Sequence, residues 1–178
     1  MLDTAALAKY TKGRLAANDS ETERNLAAGL AVVRRWCGWH VAPVEEGHEV
    51  EVDGPGGSLL RLPTLRLAEL VSVVEDGVTL SLGDLEWSKT GLVRKKSGAP
   101  WSSKLGAITV TMDHGFSEAG AFEAAVLSFI DRTSQAPTGG KPIAVGPFKW
   151  PEEKTVSGSA FSMTELSILD LYRLEPQP

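Results

Sequence analysis

The sequence predicts an α+β fold: a helical domain with a small antiparallel β insertion, followed by an extended arm that ends in a short helix. Three observations predict it. Helical periodicity with capping signals marks both ends of the chain, alternating apolar residues between turn signals fill the middle, and a glycine- and proline-rich stretch precedes the last helix. At 178 residues the chain is long enough for one full hydrophobic core and short for two. The expected division is a core over 1–135 and an arm with its helix over 136–178. Within the core, helices are expected over 3–12, 20–38 and 117–133, with the β insertion over about 48–112.

Each element has a local cause. Ala5, Ala6, Leu7, Ala8 and Tyr10 suit a short helix, which Asp3 or Thr4 can cap and Gly13 can close in a left-handed turn. Ser20-Glu21-Thr22-Glu23 has capping-box spacing, and Leu26, Leu30, Val33 and Cys37 recur on one face of the helix that follows. Gly29, in mid-helix, weakens it by about 1 kcal/mol relative to alanine. After Pro43 the texture changes, with a polar run to Gly57, short apolar runs and turn signals that imply strands. Asp76-Gly77 is a tight-turn pair between the strands Leu70–Val74 and Val78–Leu82. Leu85–Trp87 and Leu92–Arg94 are joined through Gly91, and Ile108, Val110 and Met112 alternate with Thr109 and Thr111. Ser117 and Glu118 open a helix with an apolar face of Phe122, Val126, Phe129 and Ile130. A second capping box, Ser162 to Glu165, starts a final helix whose Leu166, Ile168, Leu169, Leu171 and Tyr172 point nearly all round, so a covering partner is expected.

Composition narrows the function. With 18 basic and 23 acidic side chains the formal charge is -5, so a tight, general grip on nucleic acid is not expected. One cysteine, Cys37, permits no intrachain disulfide, which fits a reducing cytoplasm. The start of the chain does not resemble a signal peptide, and no stretch approaches the roughly 18 apolar residues of a membrane span. A soluble protein is expected.

Motifs for chemistry are sparse. Cys37 and His40 have C-x-x-H spacing, but with His48 and His114 as the only other histidines a four-ligand zinc site is not expected, and the sequence implies no metal and no cofactor. Asp113-His114-Gly115 follows a strand, where His114 could serve as a general base, yet no nucleophile motif accompanies it. The plainer reading is a turn in which Gly115 supplies an unusual backbone angle. Gly54-Pro55-Gly56-Gly57 reads as a flexible loop rather than an anion cradle. Arg94, Lys95, Lys96 and Lys104, with Trp101 nearby, form the one local basic cluster, on a hairpin expected to face DNA or a neighbouring subunit.

Four stretches in this order resemble the head-to-tail connector, or adaptor, family of long-tailed phages. They are Val32-Val33-Arg34-Arg35-Trp36-Cys37-Gly38-Trp39-His40; the strands around Val71–Val78 with Leu85-Glu86-Trp87; Ile108–Phe116 leading into a helix; and Thr164–Arg173. The resemblance implies a virion structural protein that is not an enzyme, forming a ring, usually of twelve subunits, below the portal. It further implies that the ring extends the DNA channel, receives a stopper or other neck protein beneath, and is assembled in the host bacterial cytoplasm. Phe161, Leu166, Leu169 and Tyr172 are then expected to anchor the C-terminal segment on the portal or a neighbouring subunit. The long stretch Ala136–Ser159 departs from the shorter family pattern. The alternatives are another neck or head-completion protein of stopper or tail-end type, a small enzyme using Asp113 and His114, and a solo binding module.

Overall fold

A computed structural model describes residues 2–135, 144–145, 148–149 and 160–175. The chain forms two units. A helical unit comprises Met1–Cys37 with Gly120–Arg173, and a β unit comprises Gly38–Ala119 with Leu174–Pro178. The α+β class is as expected, and the final helix belongs to the helical unit.

Helix α1 covers Thr4–Tyr10, with Asp3 as its cap: the carboxylate accepts from the Ala6 N–H at 2.7 Å. Helix α2 covers Ser20–Cys37. Its start is held by Asp19, one residue before the expected capping box, whose Oδ1 accepts from the Glu21 N–H at 3.0 Å. The buried stripe of α2 is Thr22, Leu26, Gly29, Val33 and Cys37. Leu30 is only half-buried, because Gly29 takes its place on the inner face. Helix α3 covers Gly120–Gln135 and buries the four apolar residues expected of it together with Ala125. Helix α4, Met163–Leu169, begins with the capping box as read: Ser162 Oγ accepts from the Glu165 N–H at 3.3 Å, and Glu165 returns the bond to the Ser162 N–H at 2.9 Å. A short 3-10 turn, Asp170–Tyr172, continues it.

The β unit holds two antiparallel sheets. Strands β1 (Glu45–Val52), β3 (Leu67–Glu75), β4 (Val78–Thr79) and β7 (Ile108–His114) form one in the order β1-β7-β3-β4. Strands β2 (Leu59–Arg61), β5 (Leu85–Trp87) and β6 (Leu92–Lys95) form the other in the order β2-β6-β5. The turn between β3 and β4 is the Asp76-Gly77 pair, with φ of 49° and 79° as such a tight turn requires. Along β7, buried and half-buried residues alternate without a break. Its inward residues Ile108, Val110 and Met112 join Leu60, Leu62, Leu67, Leu70, Val73, Leu85, Val93 and Trp101 in one core that both sheets share.

Two features differ from the expectation. Strand β1 starts within the polar run, three residues ahead of the expected insertion, because His48, Val50 and Val52 face inward while Glu49 and Glu51 face water. The Gly54–Gly57 segment is pinned rather than flexible. Its Gly54 and Gly56 N–H groups donate to Lys104 and Ser102 carbonyls at 2.9 and 3.0 Å, and the Trp101 N–H donates to Gly57 at 2.8 Å. With those two amides committed, the loop offers an anion little. Two further strands, β8 (Ala144–Val145) and β9 (Phe148–Lys149), pair antiparallel within the arm; the rest of 136–159 lies outside the described residues.

Candidate functional site

Three surfaces contain the residues that the sequence singles out. The C-terminal segment is held by its own helical unit. Phe161 is 3% exposed and packs on Phe129 and Trp36, with ring centroids 4.9 and 5.7 Å apart. Leu169 is fully buried, Leu166 is half-buried, and Tyr172 stands edge-on to Phe122 at 5.7 Å. Arg173 lies over the Trp36 ring at 4.6 Å, while the Trp36 N–H donates to Asp170 at 3.3 Å. Phe161 and Leu169 thus fill the unit's own core, for the physical reason that α4 lays its most apolar face on α2 and α3. The apolar side chains of α4 and its 3-10 extension left in water are Met163 and Leu171, 68% and 75% exposed. The cover expected all round is supplied on one side only.

Beneath this segment lies a buried ion pair. Glu165 is 2% exposed, and its carboxylate accepts from Arg132 Nη2 at 2.8 Å, Arg132 Nε at 3.3 Å and Ser128 Oγ at 3.2 Å. Arg132 also donates to the Ala160 carbonyl at 2.8 Å. Cys37 is sealed in the same unit. Its burial, and then the Asp170 carboxylate, push the thiol up to about 12 against the opposing pull of Arg173, so it stays protonated and unreactive.

The basic hairpin of the β unit is largely neutralised by its own surroundings. Arg94 pairs with Glu86, Lys96 donates to the Gly83 carbonyl, and Lys104 pairs with Asp76 at 2.9 Å. The bonds from Lys104 and Ser102 hold the Asp76 carboxyl below its ordinary range. Lys95 is the structural member: its ammonium sits 2.6 Å from Glu75 and 4.7 Å from the centre of the Trp101 ring. Lys95→Ala is therefore expected to lower the stability of the β unit by about 1–2 kcal/mol, because the half-buried Glu75 loses its counter-charge and keeps only the Ser102 N–H. Arg94→Ala, on an exposed pair, is expected to cost about 0.5 kcal/mol or less. Urea unfolding of the two variants checks the difference.

The third surface was not legible in the sequence. All three histidines converge on Glu45. The register of β1 against β7 sets Glu45 opposite His114, and a bulge between Glu45 and His48, with Gly47 at φ 65°, turns His48 toward the same point. Asp113 fixes that bulge by accepting the Gly47 N–H at 2.7 Å, so the acid next to His114 has a backbone task. His40 reaches in from the loop before β1, where Val41 holds a left-handed φ of 68°, strained for a β-branched residue. Gly115, at φ 116°, lets that loop approach: a Cβ there would stand 2.7 Å from the Pro43 carbonyl oxygen. The unusual angle expected of Gly115 is present.

The Glu45 carboxylate lies 3.3 Å from His40 Nδ1, 3.3 Å from His48 Nδ1 and 3.8 Å from His114 Nε2. His114 is 2% exposed, and neither ring nitrogen has a hydrogen-bond partner among the described residues. Burial, then the neighbouring His48 and His40, depress its pKa to about 4, with Glu45 opposing, so the ring is neutral near pH 7. Burial disfavours the Glu45 anion, but the His48 hydrogen bond and the histidine charges outweigh it and hold the carboxyl below its ordinary range.

No family model matches the sequence, and no curated protein is similar to it by sequence. The fold, a helical unit interrupted by a two-sheet β unit, is shared with chains of gene transfer agent particles. The structure is similar to a chain in the neck of an empty gene transfer agent particle computed with C6 symmetry, with a TM-score of 0.64 and 12% identity, over 100% of this chain and 94% of that one. It is also similar to a chain in the virion of a native gene transfer agent particle, with a TM-score of 0.63 and 12% identity, over 98% of this chain and 90% of that one.

Proposed function

We propose that this chain is a neck subunit of a tailed phage or a phage-like particle, a head-to-tail adaptor that acts by assembling into a ring below the portal. The observation that carries the reading is the fold match along the whole chain to a chain in the neck of a gene transfer agent particle and to one in the virion of such a particle. The particular adaptor role rests in addition on the order of the four stretches that resemble that family. A twelve-membered ring contains a six-fold axis, so the expected dodecamer is compatible with the C6 symmetry of the similar neck. The function is geometric: the ring continues the DNA channel and offers a lower face to a stopper or other neck protein.

Exposed apolar side chains support a subunit that is completed by neighbours. Met163 and Leu171 stand on the C-terminal segment, while Val71, Val78, Leu82 and Trp87 are exposed on the β unit. In a ring each contact is repeated at every interface, so modest burial per contact accumulates into a stable joint. The basic hairpin suits a channel through which DNA slides: with its cations paired to acids or capped by carbonyls, it retains little net positive charge and releases few counterions.

Mixing the protein with portal rings and imaging the product tests the reading. Added ring density below the portal is expected; repeated failure to add it refutes the adaptor assignment. Leu171→Asp combined with Met163→Asp is expected to weaken attachment at least about tenfold, the effect of a loss of about 1.4 kcal/mol in all, without lowering the melting temperature of the free subunit. Attachment of the double variant at wild-type strength removes these two residues from the interface.

A further inference from the structure

We propose that Glu45, His48 and His114, with His40 as the fourth ligand, form a binding site for a divalent transition ion of the zinc class that clamps the β unit. Nothing in the neck reading requires it; it stands on the arrangement of side chains alone. One ligand atom each from Glu45, His48 and His114 lies within 4.8 Å of the others. At zinc–ligand bonds of about 2.0–2.1 Å, neighbouring ligand atoms of a tetrahedron stand about 3.3–3.4 Å apart. Glu45 Oε2 stands 3.3 Å from His40 Nδ1 and 3.8 Å from His114 Nε2, and Oε1 stands 3.3 Å from His48 Nδ1, so each histidine is already near that spacing from one of the two carboxylate oxygens.

The alternative is a hydrogen-bonded histidine–carboxylate cluster, and two details favour the ion. The first is His114. A neutral imidazole always carries one N–H and one lone pair, and burying both without partners is costly. An ion at Nε2 gives the lone pair a partner of the kind it lacks. The second is His40, whose Nε2 bonds to the Pro43 carbonyl. A carbonyl only accepts, so Nε2 carries a proton and Nδ1 is the ring atom that faces the Glu45 oxygen, 3.3 Å away. A ligand histidine held at its far nitrogen by a backbone carbonyl is the usual arrangement in metal sites.

Three imidazoles and one carboxylate select zinc, cobalt, nickel or copper over magnesium or calcium, which prefer all-oxygen surroundings. The Glu45 and His48 side chains are 42% and 36% exposed, which gives the ion a path from solvent. The ligands come from the loop before β1, the start of β1 and the end of β7. An ion would therefore tie down the strained Val41 segment and the edge strand together, and its role is structural.

The test uses the tag-free, full-length protein stripped with a chelator and then titrated with zinc alone by calorimetry. One ion per chain and a melting temperature that rises with zinc concentration are expected, as is cobalt absorption of tetrahedral type, with no response to magnesium. His48→Ala and Glu45→Ala, at partly exposed positions that leave the core intact, are expected to weaken zinc binding about 10–100-fold. Cys37→Ser is expected to leave it unchanged. Absence of saturable zinc binding by the wild-type chain overturns the proposal, as does binding that neither His48→Ala nor Glu45→Ala weakens. Portal attachment is scored separately, so loss of the ion site and loss of the adaptor role are distinguishable.

Discussion

Replacing Glu165 by alanine is expected to destabilise the helical unit by about 3–5 kcal/mol, the cost of leaving one member of a buried ion pair alone. The side chain has two tasks at once. Its carboxylate caps α4 through the Ser162 N–H and also receives two Arg132 nitrogens and the Ser128 hydroxyl. Alanine removes all four bonds and leaves the guanidinium, whose side chain is 19% exposed, without its counter-charge. Glu165→Gln keeps the shape but only one of the two acceptor oxygens and turns a donor NH2 toward groups that themselves donate, so it is expected to lose about 2–3 kcal/mol, less than alanine does. Urea denaturation followed by the helical circular-dichroism signal reads these values. A double-mutant cycle with Arg132→Ala is expected to show a coupling of about 1–3 kcal/mol; a coupling near zero contradicts the pairing. On the proposed adaptor reading the consequence reaches attachment, because α4 carries Met163 and precedes Leu171, and a frayed α4 presents neither in a fixed place.

What the sequence revealed depended on whether a residue's neighbours in space were also its neighbours in the chain. The Asp76-Gly77 turn, the alternation through Ile108, Val110 and Met112, and the Ser162–Glu165 capping box are local devices, and each was readable from a few consecutive residues. Strand β1 was not, although His48, Val50 and Val52 do alternate with Glu49 and Glu51. No residue of that strand is fully buried, since it pairs on one edge only, and four acids with a glycine give it the texture of a loop. Missing β1 concealed the histidine cluster as well. His40, His48 and His114 have no spacing in common; only the β1–β7 register and the bulge at Gly47 bring them to Glu45. The covering of Phe161 and Leu169 was hidden for a similar reason, because a short helix apolar nearly all round does not declare which surface it will meet. Arg132, over thirty residues before Glu165 in the chain, could have been suggested only by asking what the acid of the capping box does once it is buried.

Gly29 shows most directly how packing overrides a local preference. Helix propensity alone says that alanine at this mid-helix position stabilises α2 by about 1 kcal/mol. In the folded unit a Cβ on Gly29 would lie 2.4 Å from Ile130 Cγ1 and 2.8 Å from its Cδ1. Ile130 is 2% exposed, so either its packed side chain would have to shift or α2 and α3 would have to move apart. Overpacking of this kind costs about 1–3 kcal/mol, more for larger side chains. Gly29→Ala is therefore expected to come out destabilising by about 1 kcal/mol, and Gly29→Val, bulkier and β-branched, by about 3 kcal/mol. The companion Ile130→Ala opens the space. On its own it costs about 2–4 kcal/mol as a cavity, but added to Gly29→Ala it is expected to cost less than that, since the new methyl fills part of the room the isoleucine vacates. Thermal unfolding of the two single variants and the double variant decides the matter. If Gly29→Ala raises the melting temperature, the close approach of α2 and α3 at this point is wrong. Strict additivity in the double variant would show that the glycine is tolerated here rather than required.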